Sequence, residues 1–74
     1  MSPEQLKSRF DEIARSLWQC RQELDQLVPE VRVVTDQKAI GSILVDLTWA
    51  AEHCTTLGLH QIGEKLNDNA GYTE

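Results

Sequence analysis

The side chains able to do chemistry are concentrated in one run, Glu52-His53-Cys54, with His60 one heptad beyond His53. A carboxylate, an imidazole and a thiol are the parts of a nucleophilic site, but the base must lie within hydrogen-bond reach of the nucleophile. Contiguous residues on a helix diverge, so this order in sequence does not make that contact. His53 and His60 share a helix face but stand about 10 Å apart, too far to hold one metal ion between them. His60 and Glu64 at i,i+4 offer two ligands where zinc takes three or four. The other acids form no pair suited to general acid–base work, and no glycine-rich phosphate loop is present. Neither an enzyme nor a metal nor a cofactor is expected, and the histidines read as part of a solvated polar face.

Cys20 and Cys54 offer disulfide or thiol chemistry. If the chain folds as a hairpin, Cys20 is level with Leu44 and Cys54 with Phe10. At ~1.5 Å per residue the two are then on the order of 15 Å apart, well beyond the ~7 Å that a bridge allows between Cα atoms. They are expected as reduced thiols packed like small apolar residues, which fits a reducing compartment and a cytoplasmic protein.

What positions these residues is a pair of helices. Ser2 reads as an N-cap, with Pro3 at the first helical position and Gln5 completing a capping box. Leu6, Phe10, Ile13, Leu17, Cys20, Leu24 and Leu27 then alternate in steps of four and three, a heptad seam. Lys7, Asp11 and Arg15 form a ladder of opposite charges, repeated by Arg21 and Asp25. Pro29 ends the segment, giving a first helix over about 3–28. The 29–35 connection carries Val31, Val33 and Val34, expected as an extended loop with the valines tucked over the bundle end. Thr35 or Asp36 would cap a second helix over about 36–57. There Ala39, Ile40, Ile43, Leu44, Leu47, Ala50, Ala51, Cys54 and Leu57 share one arc about 140° wide, broad enough for more than one neighbour. Gly58 shifts the register to Leu59, Ile62 and Leu66. It predicts either a bent continuation or a short third helix over about 60–69, with Ala70-Gly71 as a helix end and 70–74 as a tail.

The tryptophans fall outside both stripes. Trp49 lies about 150° from the centre of its arc, with Val45 one turn away and Ser42, Glu52 and Thr56 on the same side. Trp18 lies about 130° from the centre of the heptad seam, beside Arg21, Gln22 and Asp25. Exposed tryptophan is a common anchor of protein interfaces. Trp49, Val45, Trp18, Thr56 and Glu52 are the candidate partner-binding residues. The competing expectation is that the rings pack in a dimer interface, against the C-terminal segment, or on the stems of Arg15 and Arg21.

Composition sets the remaining bounds. With 74 residues the chain is a single small helical domain, 41% apolar and with a net charge of −5 from twelve acids and seven bases. Lys7, Arg9, Arg15, Arg21, Arg32, Lys38 and Lys65 are dispersed among acids, so nucleic acid is not the expected partner. The acids in turn form no dense anionic stripe that would mimic DNA. No apolar run reaches the ~20 residues of a membrane span. Met1-Ser2-Pro3-Glu4 is polar and opens a helix, so no signal peptide is expected.

A hairpin of two helices has one internal interface, and chains below ~70–80 residues usually need a staple, a metal or association to complete a core. An all-α antiparallel hairpin that dimerises into a four-helix bundle is therefore the expected architecture, with a monomeric three-helix bundle as the alternative. The dimer core would comprise Leu6, Phe10, Ile13, Leu17, Cys20, Leu24, Leu27, Ile40, Ile43, Leu44, Leu47, Ala51, Cys54 and Leu57. The outline is similar in architecture to small plasmid- and phage-type helical hairpins that dimerise. The functional expectation is a small regulator or inhibitor binding a larger protein target. The alternatives are an obligate structural subunit of a larger complex and a small helical nucleic-acid regulator.

Overall fold

The computed structural model describes residues 1–67, the side chains of 64–67 excepted. Two helices make up nearly all of it: α1, Pro3–Leu27, and α2, Val34–Asn67, joined by a single 3₁₀ turn at Val28–Glu30. No strand occurs among the described residues. The start of α1 follows the capping box read from sequence. Gln5 N donates to Ser2 Oγ at 3.1 Å, and Ser2 N donates to Gln5 Oε1 at 2.8 Å. Both contacts satisfy amides that the first turn leaves without helical partners.

The connection is shorter and more helical than expected. Val31 N donates to Val28 O at 3.1 Å, closing the 3₁₀ turn around Pro29. Gln37 N then donates to Val33 O at 3.0 Å, so α2 is already formed at Val34 and takes in Thr35 and Asp36. Neither acts as the cap; Asp36 instead places its carboxylate in the first turn, where the helix dipole favours an anion. Gln37 Nε2 donates to Val31 O at 2.7 Å and ties the turn to the new helix. Val33 and Val34 are exposed rather than tucked over the bundle end, because helix begins before the chain can fold inward.

At Gly58 the chain takes one of the two courses left open by the sequence, continuation as helix. α2 passes through Gly58 and Gly63 without a break and reaches Asn67. No separate third helix starts at His60, and the three-helix monomer loses the element it needs. The expected end at Ala70-Gly71 and the 70–74 tail lie outside the described residues, as do the side chains of Glu64, Lys65 and Leu66. α1 has 25 residues and α2 has 34, so α2 overhangs the start of α1.

The helices meet on small residues. Ala51 is fully buried and Ala14 is 4% exposed, and no large side chain is fully buried. Gly58 is buried too; a Cβ built on it would stand 3.3 Å from both Lys7 O and Asp11 Oδ1. Lys7 Nζ and Asp11 Oδ2 pair at 2.6 Å across that approach, the one ion pair among the described residues. The charge ladder thus extends only from Lys7 to Asp11.

Two glycines should respond oppositely to added bulk. Nothing lies within 4 Å of a Cβ at Gly41. Gly41→Ala should stabilise the helix by up to ~1 kcal/mol, since alanine restricts the unfolded chain and favours helix. Gly58→Val should destabilise, because its methyl groups would press on the Lys7 carbonyl, which is backbone and yields little. Thermal melting followed by circular dichroism should rise by several degrees for the first variant and fall for the second.

Candidate protein-interaction faces

The contact line of the hairpin runs through Lys7, Ala14 and Arg21 on α1 and through Leu44, Ala51 and Gly58 on α2. Positions one residue earlier lie about 100° round each helix. On α1 these are Leu6, Ile13, Cys20 and Leu27; on α2 they are Ile43, Ala50 and Leu57. The helices are antiparallel, so the same rotation brings both lines to the same side of the molecule. Between them lie Phe10, Leu17 and Leu24 from α1 and Ile40, Leu47 and Cys54 from α2, all half-buried. The result is one continuous apolar face built by both helices.

Along its outer lines this face is open. Ile13, Leu27, Ile43 and Leu57 are 43–53% exposed, and Cys20 is also exposed. Within one hairpin these five are left uncovered; they are the part of the expected dimer core that α1 and α2 do not bury between themselves. The seam through Leu6, Phe10, Ile13, Leu17, Cys20, Leu24 and Leu27 is not centred on the line along which α1 meets α2. Ala14, with the stems of Lys7 and Arg21, occupies the side nearest α2, which rotates half of the leucine seam outward. Both cysteines are free, with Cys54 half-buried and Cys20 not packed by its own hairpin.

The opposite side carries the tryptophans. Trp49 is 58% exposed, Trp18 40% exposed, and Val45 and Leu59 are exposed as well. A shallow groove on this side is lined by Arg21, Gly41, Leu44, Val45, Thr48, Trp49 and Glu52. Arg21 Nε donates to Thr48 Oγ1 at 2.8 Å, and Thr48 Oγ1 donates to Leu44 O at 2.9 Å. The guanidinium is thereby held across the helix pair and bonds to α2 instead of making the expected i,i+4 pair with Asp25. Trp49 meets His53 edge-on, with ring centroids 5.4 Å apart and planes at 64°.

Of the candidate partner-binding residues, the groove gathers Trp49, Val45 and Glu52. Trp18 and Thr56 are exposed but do not line it. Sequence reasoning missed Arg21, Gly41 and Thr48 as its floor. Thr48 stands between Leu44 and Ala51, but that its hydroxyl meets Arg21 follows only from the register between the two helices. His53 and His60 are exposed, and no group of three or more His, Cys, Asp and Glu residues is assembled for a metal ion among the described residues. Among these residues, no helix is long and apolar enough to cross a membrane. Comparison of the chain with protein-family models, with curated proteins and with solved structures found no match in any of the three.

Proposed function

We propose that this chain is a non-enzymatic protein–protein interaction module, a homodimer that docks on a larger protein through its tryptophan-bearing side and regulates or inhibits it. The observation carrying this reading is the disposition of apolar side chains on two opposite sides of a hairpin whose buried residues are small. The Ile13–Cys20–Leu27 and Ile43–Leu57 face has the leucine content of a bundle core and suits a second copy. The other side presents Trp49 in a mostly apolar groove edged by Arg21, Thr48 and Glu52, the composition of a recognition surface. Because the two sides are opposed, both can be occupied at once, and a dimer would offer two equivalent target sites. Two unpaired thiols, one of them exposed, suit a reducing compartment such as the cytoplasm.

The test is the mass in solution. Light scattering or sedimentation should give about twice the 8.4 kDa of one chain. A single-chain mass that stays constant across concentrations would overturn the dimer. The dimer should also be folded and stable without any other protein; a molten or aggregating chain would favour the obligate-subunit alternative.

A further inference from the structure

We infer that the second copy packs on the apolar face with its connecting turn at the opposite end, so that α1 lies antiparallel to the partner's α1 and α2 to the partner's α2. This rests on the dimer proposed above and specifies its geometry. The face itself calls for a large apolar cover. The molecule measures 54 × 26 × 12 Å, and the face runs along its two longer dimensions. Both helices build it only from Leu6 to Leu27, about 32 Å at ~1.5 Å per residue, so it is on the order of the ~800 Å² per partner of a standard stable interface.

A twofold dimer can cover this face in two ways. With the turns at the same end, α1 lies against the partner's α2. With the turns at opposite ends, each helix lies against its own copy. Apolar contacts permit both, so the charges at the margins of the face decide. One step beyond the Ile13 line, the outer margin of α1 carries Arg9, Ser16 and Glu23. The matching margin of α2 carries Asp46, His53 and His60.

Turns at opposite ends require an axis near the middle of α1. Ser16 is midway between Arg9 and Glu23. The midpoint of Leu6 and Leu27, and that of Ile13 and Cys20, falls beside it, between Ser16 and Leu17. An axis there sets Arg9 against the partner's Glu23, and Glu23 against the partner's Arg9. It also sets Ile13 across from the partner's Cys20. On α2 the same level falls near Thr48 and Trp49, because Lys7 is level with Gly58. The midpoint of Asp46 and His53 lies within a residue of it, so Asp46 faces the partner's His53. Both margins are then complementary.

Turns at the same end reproduce the level matching of the hairpin itself. Arg9 then falls level with position 56, about a turn from both the partner's His53 and the partner's His60, and Glu23 level with position 42, where the nearest charge on that margin is the partner's Asp46 a turn away, so neither gains an opposite charge. Exposed pairs of this kind contribute little to affinity but select between packings that the apolar core leaves nearly equal.

Two experiments test the arrangement, with mass measured alongside. In a Cys54→Ser background, Ile13→Cys should form a disulfide-linked dimer with the native Cys20 in a glutathione redox buffer, whereas Ile43→Cys should not. Ile43→Cys is the position that Cys20 would meet with the turns at the same end. Separately, Arg9→Glu should weaken dimerisation roughly three- to tenfold, and adding Glu23→Arg should restore it. Both positions are exposed, so neither change removes core packing. Cross-linking through Ile43→Cys, cross-linking of neither variant, or tighter dimerisation of Arg9→Glu would overturn the arrangement while leaving a dimer. A monomeric mass for the unmodified chain would overturn the dimer itself.

Discussion

Leu47→Asp is expected to dissociate and unfold the protein in one transition. Leu47 is half-buried, on the line between the hairpin's own contact and the open face. Beside it lie the exposed Ile43 and the fully buried Ala51. Removing a leucine from a core costs about 2–5 kcal/mol, and desolvating a carboxylate there adds to it. A domain of this size holds about 4–11 kcal/mol in total, by the usual 0.05–0.15 kcal/mol per residue. In a twofold dimer the substitution occurs twice within one core. Helical ellipticity and sedimentation should therefore fail together over the same concentration range. A monomer that kept its full helical signal would show that the small-residue contact of α1 with α2 suffices alone, and the four-helix reading would be lost.

That expectation depends on how little one hairpin buries, which the sequence conveyed only in part. The helices, the capping box and the proline stop were legible because they depend on local chemistry at Ser2, Pro3, Gln5 and Pro29. The apolar side of each helix was legible as well, since Leu6 through Leu27 and Ile40 through Leu57 keep their periods. The facing line was legible only in part: Leu44 and Ala51 stood in the expected arc, whereas Ala14 and Gly58 did not. Large side chains dominate a wheel drawn from hydropathy, yet close helix packing depends on Ala14, Ala51 and Gly58, whose contribution is the absence of bulk. Gly58 shows the same limit from another side. By propensity it breaks a helix, but in the fold it is a notch that admits the Lys7 backbone, and α2 continues through it. Tertiary fit overrides a local cost of about 1 kcal/mol. The start of α2 was misplaced because Val33 and Val34 carry a strand-like preference that the Val33–Gln37 backbone bond outweighs. The groove was half legible: Val45, Trp49 and Glu52 follow from one helix, whereas Arg21 and Thr48 require the register between two.

Trp49→Ala is expected to leave fold and assembly nearly untouched and to remove most of the target binding. The ring is 58% exposed, and its recorded aromatic contact is the edge-on meeting with His53, itself exposed. A surface truncation of this kind shifts stability by about 0.5 kcal/mol or less. Melting temperature and the dimer dissociation constant should thus stay close to those of the unmodified chain. Truncating a tryptophan at the centre of an interface costs about 2 kcal/mol or more, a loss of roughly thirtyfold in affinity. The measurement pairs melting and sedimentation of the variant with its affinity for a target recovered by the unmodified chain. Trp18→Ala, at a ring 40% exposed on the same side but outside the groove, is the companion. A fall in melting temperature with a weaker dimer in both variants would place the rings in the interface between copies, and the exposed recognition surface would have to be abandoned. A stable dimer whose target binding fails in Trp49→Ala and survives in Trp18→Ala would locate recognition in the groove that Arg21 and Thr48 support.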